Sequence, residues 1–213
     1  MRLSGSLAVP AASRHSSSMA IEIRRISGQE ITRYLTDAAR LRISVFREYP
    51  YLYEGDEAAE QEYLASYAAC PRSVFVLALD GDRVVGVSTG LPMADADESF
   101  QAPFADNGES PENWFYFGES VLDPAYRGQG IGHRFFDERE RHAHELGFRC
   151  TCFCSVIRPA DHPLMPPGYR PHDVFWTKRG YAKQADYKAC FSWKQVDTPG
   201  ETENELVFWT RET

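Results

Sequence analysis

One stretch constrains this chain more than any other: Arg127-Gly128-Gln129-Gly130-Ile131-Gly132, set between an apolar run from Trp114 to Leu122 and an amphipathic run reaching about Leu146. The first run reads as a β-strand and the second as an α-helix. Glycines at 128, 130 and 132 remove the Cβ atoms that would keep a ligand off the main chain, and they allow φ > 0 where the loop needs it. The first amides of the following helix have no intrahelical partners and lie at the positive end of its dipole. A loop of this kind cradles a diphosphate without any basic side chain. The competing reading is a glycine turn that caps the helix and binds nothing.

Two familiar glycine motifs fit poorly. A P-loop ends in Gly-Lys-Ser/Thr, whereas Gly132 is followed by His133 and Arg134. A dinucleotide fingerprint spaces its glycines G-x-G-x-x-G and expects an acidic residue about 20 positions further on. Here the glycines alternate and come late in the chain.

The run from Val121 through Leu122, Asp123-Pro124-Ala125-Tyr126 and Arg127 to Gly132 instead resembles motif A of the GNAT superfamily of acyl-CoA N-acyltransferases. Arg127, Gly130 and Gly132 fill that family's Gln/Arg-x-x-Gly-x-Gly/Ala pattern, and the match covers twelve residues in a strand-loop-helix context. The element order β-α-α-β-β-β-α-β-α-β-β resembles the same family over almost all of residues 20–211. The resemblance implies an α/β fold with a mixed, mostly antiparallel sheet and helices on both faces. Its fourth and fifth strands, by position Trp114 to Leu122 and Arg149 to Ile157, would splay to admit a pantetheine arm.

The implied activity is N-acetyl transfer, or transfer of another short acyl group, from acetyl-CoA to a primary amine by direct attack, with no metal. The implied cofactor-binding residues are Val121, Leu122, Arg127, Gly128, Gln129, Gly130, Ile131 and Gly132, a main-chain amide near Val121 and Leu122 polarising the thioester carbonyl. Relatives often carry an acidic base on the fourth strand, and Glu119 is the residue in that region; apolar neighbours Phe117 and Val121 favour a raised pKa there. The relatives' general acid, a tyrosine in an aromatic-Tyr-x-x-x-Gly-Phe/Tyr pattern, is replaced by Trp176 in Phe175-Trp176-Thr177-Lys178-Arg179-Gly180-Tyr181. An indole N–H is no acid at neutral pH. Tyr169, His172 and Tyr181 are substitutes by sequence proximity. The alternative is a catalytically weak CoA-binding sensor or interaction domain of the same fold.

Arg158, His162, Tyr169, Arg170 and His172 cluster among five prolines that restrict the backbone, and from this group Tyr169, Arg170 and His172 are expected to grip the acyl acceptor. The acceptor itself, a small-molecule or peptide amine, is not readable. Dimers are common in this family, so a homodimer is compatible with the resemblance.

At 213 residues the chain suits one domain, expected at 19–213, behind a Ser- and Ala-rich segment at 1–18 that reads either as a disordered tail or as an upstream-start extension, the start then falling at Met19. A net charge of −8 and pI near 5.3 argue against nucleic acid and anionic membranes as partners. No window approaches the ~18 apolar residues of a spanning helix, and the N-terminal segment lacks a signal-peptide core. Five cysteines are no disulfide framework. Cys150, Cys152 and Cys154 would line one strand face about 6–7 Å apart, too spread for one zinc, so they are expected as core thiols in a reducing cytoplasm. Further expectations are a helix from Gly28 to about Tyr49, a second from about Asp56 to Ala69, and a hairpin turn at Asp80-Gly81-Asp82. A loop spans Pro92 to Asn113, and terminal strands cover about Asp186 to Gln195 and Glu205 to Thr210.

Overall fold

The computed structural model describes residues 20–213. The expected tail at 1–18 and a start at Met19 lie outside the described residues.

Side-chain alternation explains the sheet. In β2 (Val74–Asp80), Phe75, Leu77 and Leu79 enter one apolar layer while Val74, Val76 and Ala78 enter the other. Antiparallel strands commonly keep one solvated, polar face; β2 has none because helices cover both sides. β1 (Glu22–Ile26), β2, β3 (Arg83–Pro92) and β4 (Trp114–Leu122) form an antiparallel meander. Beyond β4 come β5 (Cys150–Val156), then β7 (Glu201–Glu212), with β6 (Ala182–Lys194) at the edge. On one face α1 (Leu35–Phe46) and α2 (Glu57–Ala69) contribute Leu41, Leu64 and Tyr67 to the core. On the other, α4 (Ile131–Glu145) contributes Ile131, Phe135 and Phe136. Two short helices, α3 (Glu98–Asp106) and α5 (Asp173–Lys178), complete the fold.

β4 and β5 run parallel and pair only through Trp114–Cys150, Phe115–Thr151 and Tyr116–Cys152. Past Tyr116 the two strands part, as the fourth and fifth strands were expected to.

The N-terminus of α2 is set by Asp56, whose carboxylate accepts from the Ala59 amide at 3.0 Å. Asp56→Ala should therefore lower stability by about 1 kcal/mol, seen as a lower urea midpoint with an unchanged slope.

Three expectations are corrected. The segment from Gly28 is not one helix: a 3-10 run over Gly28–Tyr34 precedes α1. There the Gly28 amide donates to Ser73 Oγ and Ile31 is driven fully into the core, which tightens the entry. The Pro92 to Asn113 stretch contains α3, capped by Asp97 accepting from the Ser99 amide. Phe100 and Phe104, four apart, anchor it on Tyr116 and Trp114, and Pro103 with the surrounding polar residues hid that spacing. None of this stretch lines the gap. The last two strands are longer than expected, because β6 accommodates a register shift between Gln184 and Lys188 that interrupts its alternation.

Candidate active site

Where β4 and β5 separate, a cleft of about 1140 Å³ opens between the two helical layers. Backbone register decides which β4 groups face it. The Asp123 amide donates to Val85 O at 2.9 Å, and Val87 lies opposite Val121 while Gly86 lies opposite Leu122. Hydrogen-bonded and non-hydrogen-bonded pairs alternate along an antiparallel ladder. Val121 therefore turns its amide and carbonyl toward β3, and its side chain is fully buried. Leu122 and Ser120 turn theirs into the gap. Of the two expected main-chain positions only Leu122 faces the cleft; Val121 is corrected, and Ser120, which sequence reasoning missed, is its companion.

The glycine loop closes one end of the cleft. Gly128 and Gly130 have φ of 78° and 80°, and Gly130 is the left-handed cap of α4. A Cβ at either position would meet nothing within 4 Å. The requirement is therefore torsional, and the space above the loop stays open. The first turn of α4 carries no acidic residue and its N-terminus has no side-chain cap, so the helix itself offers no carboxylate to its free amides. These features fit a diphosphate held by main-chain N–H groups. Ile131, buried at the start of α4, lines the cleft from its core side, and exposed Gln129 does not line it. Arg127 pairs with Glu48 at 3.2 Å across the mouth.

Glu119 lines the same cleft and is 5% exposed. Its Oε2 accepts from Arg42 Nη1 of α1 at 2.9 Å, while its Oε1 is buried without a partner. Arg42 also binds Glu60 of α2, whose other oxygen accepts from the Tyr53 hydroxyl at 2.7 Å. One guanidinium thus serves two carboxylates. Burial raises the Glu119 carboxyl above the usual carboxylate range, opposed by Arg42 and reinforced by Glu60. Next to it, Gly118 cannot carry a side chain: a Cβ would fall 2.1 Å from the Tyr67 hydroxyl and 2.6 Å from Thr89 Oγ1. Neither Arg42 nor Gly118 carried a sequence signal, since their partners come from other elements.

The proline-rich segment 157–172 forms the opposite rim. Arg158 lines the cleft and donates to Pro50 O at 2.6 Å, Tyr51 O at 3.0 Å and Asn204 Oδ1 at 2.8 Å. These bonds tie the two rims together. Tyr169 packs edge-on against Tyr49 with centroids 4.8 Å apart, and Arg170 and His172 line the cleft beside it. Trp176 also lines the cleft, packed on Phe153 and Trp209. Tyr181 is removed as a substitute acid. It lies 2% exposed in the core, donating to Glu140 and hydrogen-bonded to Thr151, both at 3.0 Å. Among the described residues no group of three or more His, Cys, Asp or Glu is arranged to hold a metal, and no helix is long and apolar enough to cross a membrane.

Residues 38–165, more than half of the chain, match the model of the acetyltransferase (GNAT) family. The chain belongs to that family, and with it to the acyl-CoA-dependent N-acetyltransferases. No curated protein matches it. Solved structures show the same fold at low identity. A ribosomal-protein-alanine N-acetyltransferase from Brucella melitensis is 12% identical with a TM-score of 0.58, over 90% of this chain and 99% of that one. A Salmonella typhimurium protein solved with its cofactor acetyl-CoA is 11% identical, TM-score 0.56, over 91% and 94%. The Drosophila melanogaster polyamine N-acetyltransferase, which forms N-acetylagmatine, is 13% identical, TM-score 0.54, over 91% and 100%.

Proposed function

We propose that this protein transfers an acetyl or short acyl group from acetyl-CoA to the primary amine of a small-molecule or peptide acceptor by direct attack. Acetyl-CoA supplies the acyl group as a thioester. The observation that carries the reading is the free Oε1 of Glu119, buried in the cleft between the open glycine loop and the gap-facing amides of Ser120 and Leu122.

The roles follow from position. Amides of residues 128 to 133 hold the diphosphate. Leu122 N–H, already oriented, is aimed at the carbonyl oxygen on which charge develops. Glu119 accepts the amine proton from the α1 and α2 side of the sheet. Tyr169, Arg170 and His172 meet the acceptor at the rim. Direct attack of this kind passes through no covalent enzyme intermediate.

The test is calorimetric titration with acetyl-CoA, followed by mass-spectrometric detection of acetylated product across a panel of primary amines. Binding and turnover support the proposal. Binding with no turnover on any amine favours a CoA-binding sensor, the alternative that Trp176 raises. Neither binding nor turnover refutes both.

Glu119 must be ionised to act. Because its pKa is raised, the base form appears only above the ordinary carboxylate range, and kcat/KM should fall as pH drops through that raised value. Glu119→Gln should lower kcat by about 10²- to 10⁴-fold and abolish that acid limb. An unchanged pH profile in the variant would remove Glu119 from the base role.

A further inference from the structure

Arg139 is the least explained charge in the molecule. It is 1% exposed on α4, yet among the described residues no carboxylate pairs with it, Glu119 and Glu140 being paired with Arg42 and Arg179. Its guanidinium lies 4.5 and 4.7 Å from the ring centroids of Phe117 and Phe136. Nη1 donates to Thr89 O and Glu119 O, both at 3.2 Å, carbonyls at the irregularity where β3 and β4 change register. Nη2 donates to Ser120 Oγ at 2.8 Å. Burial pushes the guanidinium down to about 10, so it keeps its charge at neutral pH.

Ser120 makes this more than a structural patch. A hydroxyl has one proton and two lone pairs, and Arg139 occupies one lone pair. Among the described residues no acceptor takes the proton. Ser120 is exposed into the cleft, and its main-chain amide faces the gap.

Position then bears on chemistry. Successive side chains on a strand point to opposite faces, so Glu119 serves the α1 and α2 side while Ser120 serves the α4 side. In direct attack the amine adds to one face of the thioester plane, and the sulfur leaves the tetrahedral carbon in a different direction, so the two need separate groups beside them. A thioester entering from the glycine loop must stop before β4 and β5 pair at Tyr116, which sets its sulfur beside the stretch that includes Ser120.

We propose that Ser120 and Arg139 form the leaving-group site: the Ser120 hydroxyl hydrogen-bonds the departing sulfur, and the fixed charge of Arg139 behind it stabilises the thiolate. The inference rests on the acetyltransferase reading above. The amine lone pair forms the C–N bond, and the C–S pair leaves with sulfur. The amine proton passes to Glu119 and then to solvent, and the thiolate takes its proton from water after release. No tyrosine is needed, which accounts for Trp176 in its place. Ser120 touches the reacting atom and is the catalytic residue here; Arg139 is a positioning residue acting through it.

The experiment follows ionisation of the thiol of bound CoA by thiolate ultraviolet absorbance as pH is raised. The groups facing this stretch are Arg139 from α4, Glu119 from β4 with Arg42 behind it, Cys154 from β5, and His172 and Asp173 by α5. Only the first is altered through Ser120. The bound thiol should ionise at least about one pH unit below free CoA. In Ser120→Ala it should return toward the free value with CoA affinity at pH 7 nearly unchanged. kcat should drop on the order of 10²-fold while KM for acetyl-CoA holds. Arg139→Lys, keeping charge but losing the fork, should fall between; if it fails to fold, the exposed Ser120 substitution still decides. Equal thiol ionisation in wild type and Ser120→Ala overturns the leaving-group site alone. Failure of CoA to bind the wild type overturns the acetyltransferase reading, and this inference with it.

Discussion

Glutamate in place of Gly130 is expected to weaken acetyl-CoA binding by at least about 10²-fold, or about 2.7 kcal/mol. Two effects act together. Gly130 holds φ of 80°, and a non-glycine residue there costs on the order of 1–2 kcal/mol. The new carboxylate would also sit at the N-terminus of α4, satisfying the amides proposed to hold a diphosphate and repelling its charge. Steric clash plays no part, since a Cβ there meets nothing within 4 Å. Gly130→Asn separates the causes, because asparagine tolerates the left-handed region and is neutral; it should retain most of the affinity. Calorimetry on both variants, with melting curves to confirm folding, checks this. Equal binding by Gly130→Glu and wild type would mean the loop is only a turn.

The other large effect concerns stability. Arg42→Leu should destabilise the fold by about 3–5 kcal/mol, the range for breaking a buried ion pair from one side. It leaves Glu60 at 3% and Glu119 at 5% exposure without their shared cation. The pH dependence has a definite sign. Burial already raises the Glu119 carboxyl and Arg42 opposes that rise, so without Arg42 the Glu119 carboxyl would hold its proton to still higher pH in the folded than in the unfolded chain, and the folded state binds more protons. Stability of the variant must fall as pH rises from the unfolded carboxylate pKa toward the raised folded value. Urea midpoints at about pH 5 and pH 8 should diverge from wild type most at the higher pH. Adding Glu60→Gln and Glu119→Gln should recover much of the loss; no recovery would mean that Arg42 acts by packing on Phe46 and Tyr63, over whose rings it lies at 5.0 and 4.7 Å.

The glycine loop was readable because what it specifies is main-chain conformation. Alternating glycines between an apolar run and an amphipathic run specify positive φ and a free helix N-terminus, whatever surrounds them. The same locality made Asp80-Gly81-Asp82 legible as a hairpin turn. α3 was illegible for the opposite reason: Phe100 and Phe104 mean nothing until Trp114 and Tyr116 are present to receive them. Val121 and Leu122 look alike as sequence, and only the pairing of Val87 with Val121 tells which amide is taken and which is free.

By itself the sequence determined the strand-loop-helix around Gly130, the family, the α/β class, and an acidic residue on the fourth strand, all properties of neighbouring residues and of the backbone they permit. Tertiary structure alone decided that Glu119 shares one arginine with Glu60, that Arg158 ties the two rims together, and that Tyr181 belongs to the core. It also set Arg139 behind Ser120. The physical reason is common to all four: a charge or hydroxyl acquires its role from partners tens of residues away, and desolvation and hydrogen bonding act on the assembled neighbourhood rather than on the chain that enters it.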